Sequence, residues 1–389
     1  MKKLIALLLA VVMVMGLAAC GSKTTTETKA PTEAKVDTPA TEAKTDAPAA
    51  AGSVYYLNFK PEFDQALQGL AASYTEKTGV PVKVVTAASG DYSNTLNAQM
   101  GKDGAPTVYN IGNMSGLKDW DEYALDLTGT PLAGELTTND FNLYNEAGEL
   151  KAMGYCYETF GIIVNTKLLA DAGHSLDEIK DFASLKAVAD DIHARAAELG
   201  FDAFSSAGLE GSSSWRFSGH LANMPLFYEF RDDKVTAQPA AIKGTYLDAF
   251  KNVWDLYTTD SATTGAALTT ATGDASEAEF GQGKAVFFQN GSWEYANLVT
   301  SDDKGFKMNP EDLAMIPIYC GVEGEEKAGL CCGTENCWAV NKNAKEEDIQ
   351  ATLDFMKWVV TSDEGTTMLA EQFGPCPFKN AKTPANVFF

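Results

Sequence analysis

Two tryptophans set the chemistry the sequence offers. Trp293 follows the apolar run Ala285-Val286-Phe287-Phe288-Gln289 and the turn Asn290-Gly291-Ser292, where a strand hands over to a helix. Trp215 stands beside Arg216 in a Ser/Gly-rich stretch that also carries His220. A sugar presents flat C–H faces and a rim of hydroxyls, so its sites pair aromatic platforms with carboxylate, amide or guanidinium groups that bond the rim. Trp293 is the leading platform candidate, with Gln289 and Glu294 as polar neighbours. Trp215 and Arg216 supply a ring and a fork of donors, or else a structural cation–π contact.

The inventory argues against chemistry of other kinds. Three His and seven Cys in 389 residues leave little material for His-based acid–base work or a zinc centre, and no C-x-x-C pair occurs. No P-loop, G-x-S-x-G elbow or H-E-x-x-H is present. The reading is therefore a binding protein, not an enzyme, with no cofactor and no metal. A formal charge of −23 repels phosphate backbones and anionic lipid, which excludes nucleic acid and leaves a neutral or cationic ligand. After Cys20 the remaining cysteines are Cys156, Cys320, Cys331, Cys332, Cys337 and Cys376, and their connectivity stays open.

These candidates need elements to hold them. Lys2 and Lys3 precede an uncharged run from Leu4 to Leu17, too short for a comfortable bilayer span, which predicts an export signal over 1–19. Residues 20–53 are rich in Thr, Ala, Glu, Lys and Pro, and cannot bury enough surface to offset their ordering entropy. They read as a flexible stalk with a reach of about 30 Å. Folded sequence begins at Val54. Val54–Phe59, Val82–Thr86 and Thr107–Ile111 read as strands, separated by helical stripes through Phe63, Leu67, Leu70 and Tyr74 and over Asp91–Met100. This βαβαβ pattern predicts a parallel sheet covered by helices, with ligands beyond the carboxyl ends of the strands. Asn58, Lys60 and Glu62 in the first strand-to-helix loop, and Asn113 in the third, then face either the cleft or solvent. Trp120, Trp254 and Trp358 lie on helical stripes and are expected in the core, and Thr361 with Glu364 reads as a capping box.

Several stretches, in order, resemble family 1 extracellular solute-binding proteins, the relatives of maltose-binding protein. Gly154-Tyr155 with Gly161-Ile162-Ile163-Val164-Asn165-Thr166-Lys167-Leu168 is similar to the family's "Pro-Tyr … Gly-x-x-Tyr-Asn-Lys-x-Leu", with Gly154 for Pro and Val164 for Tyr. Phe280-x-x-Gly283-Lys284-Ala285-Val286 and Asn290-Gly291-Ser292-Trp293 resemble a second segment, where relatives place a sugar-stacking Trp. Trp338-Ala339-Val340 and Gly374-Pro375-Cys376-Pro377 resemble the last crossovers, and Leu17-Ala18-Ala19-Cys20-Gly21 a lipobox in which Cys20 is lipidated.

The resemblance implies an α/β fold: a two-lobed periplasmic-binding-protein-like clamp of type II, each lobe a mostly parallel sheet flanked by helices, joined by several hinge crossovers. Lobe I is expected to span 54–158 plus 338–375 and lobe II 159–337 plus 376–389, the apolar end Val387-Phe388-Phe389 suggesting truncation. Tyr155 and Glu158 at the first crossover then face the ligand or pack in the hinge, and Trp338 sits at the second. The implied function is that of a monomeric lipoprotein, exported and anchored through Cys20 to the outer face of the cell membrane. It would bind a sugar or oligosaccharide and deliver it to the permease of an ABC transporter. The alternatives are a polyamine or other small-solute receptor, caged by the same acids and aromatics, and a surface-anchored glycoside hydrolase.

Overall fold

In the computed structural model the described residues are 52–88, 90–236, 239–300, 302, 304–334 and 336–389. The signal, the lipobox and the stalk through residue 51 lie outside them. The opening βαβαβ matches the local signals to within two residues: β1 (Val54–Asn58), α1 (Asp64–Thr78), β2 (Val82–Thr86), α2 (Tyr92–Met100) and β3 (Val108–Ile111). Gly79 closes α1 in the left-handed region (φ 76°), which a side chain would disfavour. After α3 (Met114–Trp120) come β4 (Leu143–Tyr144), β5 (Leu150–Gly154), β6 (Glu158–Asn165) and α4 (Thr166–Asp171). Next are α5 (Phe182–Ala194), α6 (Ala196–Leu199), β7 (Asp202–Phe204), a π-helical turn (Arg216–Leu221), α7 (Ala222–Asp233), α8 (Leu247–Thr259) and α9 (Gly273–Gly281). The chain continues through β8 (Ala285–Gly291), β9 (Leu313–Ile316), β10 (Cys331–Gly333), β11 (Cys337–Val340), α10 (Glu346–Thr361) and α11 (Asp363–Met368).

The strands form two sheets. One has the order β2-β1-β3-β11-β5-β4; the other has β10-β6-β8-β7, with β9 also on β6. The expectation of mostly parallel sheets is corrected. Among the strands of the described residues β1–β2, β1–β3 and β7–β8 pair in parallel, and the other strand pairs are antiparallel. Local βαβ pattern fixes the parallel part, whereas β11 returns from the other sheet and runs against both β3 and β5.

Alternation along the strands buries both faces of each sheet. In the first sheet Leu57, Tyr109, Ile111 and Ala339 point to one core, and Tyr56, Val108, Trp338 and Val340 to the other. In the second, Ile162, Val164 and Phe287 face one core while Ile163 and Phe288 face another. Helix α10 lays Ala351, Phe355, Met356 and Val359 on the first sheet in one stripe. Each large apolar side chain so buried contributes about 1.5–3 kcal/mol. Trp254 and Trp358 are half-buried against the cores, as is Trp120. The α11 cap is Ser362 rather than Thr361: its hydroxyl accepts from Gly365 N at 3.0 Å, because the last turn of α10 still holds Thr361.

The chain passes from the first sheet to the second at 155–157, before β6, and returns between β10 and β11. A later stretch also touches both. Tyr157 N donates to Pro375 O at 2.7 Å, and Thr137 N to Pro377 O at 2.9 Å. Phe378 then joins a first-sheet core, while Phe388 joins a second-sheet core. The Thr159 hydroxyl fastens the Phe388 carbonyl at 2.7 Å. Among the described residues no helix is long and apolar enough to cross a membrane.

Candidate functional site: the cleft beside the crossovers

A cavity of about 1060 Å³ opens between the β3–α3 loop and the second sheet. Gly112 and Asn113 line it from the first side, and Glu158 and Phe160 at its base. His220, Asn223, Met224, Phe227, Tyr228 and Arg231 form one wall, Trp293 another, and the 324–334 segment closes it. Asn113 caps α3, its side-chain oxygen accepting from Gly116 N at 2.9 Å.

Trp293 reaches this place because β8 ends in a residue without a side chain. A Cβ on Gly291 would overlap the Trp293 ring, so the indole lies folded back on the strand end. Ser292 pins the turn: its N–H donates to Thr159 O at 2.8 Å, and its hydroxyl accepts from Thr159 N at 3.1 Å. Replacing Gly291 by Ala is expected to expel the ring and raise the ligand Kd roughly as far as losing the indole would, with thermal stability nearly kept. Titration with unchanged affinity would show that the ring's seat is irrelevant.

The loop after β1 supplies a cation. Asn58 is fully buried and shapes that loop, its Oδ1 accepting from Lys60 N at 3.0 Å and its Nδ2 donating to Lys60 O at 2.6 Å. Lys60, 2% exposed, pairs with Glu158, 5% exposed, and stands 3.7 Å from Glu62. Its ammonium lies 5.9 Å from the Trp293 ring centroid.

The lining rings rest on a second layer. The Phe160 and His220 rings stack at 3.9 Å and 6°. Gln289 Nε2 donates to His220 Nδ1 at 2.8 Å, which leaves the proton of the neutral ring on Nε2. Burial, and then the charge of Arg216, push the His220 pKa down to about 3, so the ring is uncharged at neutral pH. The Arg216 guanidinium lies 4.2 Å over Trp215 and 3.8 Å from Glu294. Trp215 and Trp293 are 6.0 Å apart between centroids. Glu294 accepts from Asn290 Nδ2 at 2.6 Å and Asn297 Nδ2 at 3.3 Å. Burial, then the negative charge of Glu277, raise the Glu294 carboxyl to about 7 against the pull of Arg216.

Of the residues singled out by sequence, Trp293, Glu158 and Asn113 line the cavity. Lys60, Glu62, Gln289, Trp215, Arg216 and Glu294 surround Trp293 or its neighbours from behind. Tyr155 and Trp338 do not line it: they stack on each other at 4.2 Å and 3° inside the first core, and Trp338 Nε1 donates to Tyr56 Oη at 3.0 Å. Asn58 is likewise a loop organiser away from the lining. Sequence reasoning missed Phe160, Met224, Phe227, Tyr228, Arg231 and the 324–334 segment. Phe227, 52% exposed on α7, carried a weak signal as a large apolar side chain outside the helix's buried stripe.

Two sheets bridged by crossovers around a cleft define a clamp-type binding protein. The chain belongs to the bacterial extracellular solute-binding protein family, which matches residues 69–387, and is accordingly an exported protein. No curated protein sequence matches it. Among solved structures, the solute-binding protein RafE in complex with raffinose is 16% identical with a TM-score of 0.68, covering 86% of this chain and 84% of its own. The GacH receptor of Streptomyces glaucescens, solved unliganded and with acarbose, is 20% identical with a TM-score of 0.62, covering 82% and 78%. Maltose-bound MalE3 of T. maritima is 15% identical with a TM-score of 0.65, covering 86% and 82%. These likenesses establish the two-lobed fold.

Proposed function

We propose that the protein is the substrate-binding lipoprotein of an ABC importer, which encloses an oligosaccharide in the cleft and delivers it to the permease. The observation that carries this reading is the cavity wall. Its rings, Trp293, Phe160, His220, Phe227 and Tyr228, alternate with Asn113, Asn223 and Thr334, which is the aromatic-plus-rim chemistry a sugar needs. About 1060 Å³ is at the upper end of small-molecule sites and suits several sugar units. Structural neighbours solved with raffinose, acarbose and maltose support the same class. Anchoring through Cys20 and a monomeric state complete the proposal.

A polyamine is less well served. Among the described residues Glu158 is the carboxylate that lines the cavity, and Lys60 pairs with it. Glycoside hydrolysis needs two carboxylates flanking one bond, and among the described residues the lining carries one. The cleft therefore works by closure: ligand contacts shift the balance between open and closed forms.

Calorimetry of the protein against raffinose, malto-oligosaccharides, xylo-oligosaccharides and spermidine tests the class. Saturable binding of an intact saccharide is the expected result, and binding of spermidine alone would overturn it. Trp293→Ala should then weaken saccharide binding by about 1–3 kcal/mol with the far-UV spectrum unchanged. An unaltered Kd would remove Trp293 from the site.

A further inference from the structure

Helix α7 carries Phe227 and Arg231 one turn apart, on the same face. Both line the cleft cavity, and both also line a shallower depression of about 400 Å³ outside it. The other walls of that depression are Phe230, Lys234, Val235 and Thr236. Lys234 turns the chain in a left-handed conformation (φ 54°), and Val235 N donates back to Phe230 O at 2.9 Å. The outer wall is thereby fixed to the helix end. Arg231 is held in place, 4.7 Å over the Tyr228 ring with Nε donating to Asp232 Oδ1 at 2.6 Å. That bond uses one of its five N–H donors.

We propose that this depression is an accessory subsite that takes the protruding end of an oligosaccharide whose body is enclosed in the cleft. The inference rests on the saccharide reading above and adds the ligand's length and path. Cleft and depression share two residues, so a chain can run from one to the other without losing contact. Phe227 sits on the ridge between them, 5.4 Å edge-on to the Tyr228 ring, with the rest of its phenyl face left in water. A sugar face laid on Phe227 and Phe230 would shield both, with hydroxyls in reach of the guanidinium. Because the first units are already held, each outer contact forms at high effective concentration. The preferred ligand is then longer than the cavity itself.

The test is calorimetric titration of the full-length protein with neutral malto-, xylo- and galacto-oligosaccharide ladders, from disaccharide to heptasaccharide. In the series that binds, Kd should tighten with length until the chain spans both sites. Phe230→Ala, and independently Thr236→Trp, alter positions outside the cleft lining, Thr236 being exposed. Each should weaken the longest members by about threefold to tenfold and leave the shortest binder as it was. Length-independent affinity in the parent protein, or an equal change at every length in the variants, overturns the subsite. Absence of saccharide binding at any length overturns the functional reading beneath it instead.

Discussion

Lys60→Met is expected to lower the free energy of unfolding by about 3–5 kcal/mol, the usual cost of removing one member of a buried ion pair. Lys60 and Glu158 are 2% and 5% exposed, so the remaining carboxylate could not be rescued by bulk water. The pair joins the loop after β1 to the first residue of β6, across the first crossover. Its loss therefore strikes the hinge as well as the fold. Urea unfolding should show a lower midpoint at an unchanged slope. The double variant Lys60→Met, Glu158→Leu should recover part of the loss, since the more deeply buried carboxylate is then gone and Glu62, 16% exposed, is the one left beside the site. A single-variant effect below about 1 kcal/mol would mean that the pair behaves as a solvated one.

The second large effect is a dependence of stability on pH, written into Glu294. Its carboxyl is raised from 4.5 to about 7 by burial and by the neighbouring Glu277, with Arg216 opposing and Asn297 and Glu62 also facing it. Between these values the folded protein holds a proton that the unfolded chain has released. Folding is thus favoured at the acid end, and the contribution is lost as pH rises through about 4.5–7. At 1.36 kcal/mol per unit the loss is about 3 kcal/mol. Glu294→Gln keeps the shape and cannot titrate. The gap between parent and variant melting temperatures should therefore change steadily from pH 4.5 to 7.5 and be flat above it. Parallel curves would mean that Glu294 is solvated in the folded state.

Local pattern carried the first half of the architecture. Apolar spacing in Phe63, Leu67, Leu70 and Tyr74, stopped by Gly79, specifies α1 without reference to the rest of the chain. Sheet partners of distant sequence were a different matter. β10 meets β6 through Cys331 opposite Phe160, and this pairing carries the 324–334 segment to the cavity. No periodicity announces a contact between segments so far apart. The same limit explains Tyr155 and Trp338. Their residue types suit a sugar platform, but strand alternation in β11 turns Trp338 into the first core, and Tyr155, in the first crossover, stacks on it there. Trp293 was legible because its position is local: a strand, a glycine, and a ring that folds back on it.

One contact made by that ring's element reaches further. Trp293 packs against the first-sheet core, and Ala296, three residues on in the turn that follows β8, is buried within it. The ring that would receive the ligand is therefore also a strut between the two lobes. A movement that parted the sheets at this contact would draw Trp293 and Ala296 out of an apolar setting, at a cost set by the area exposed. The apolar area at this contact therefore enters the balance between open and shut forms that a ligand shifts.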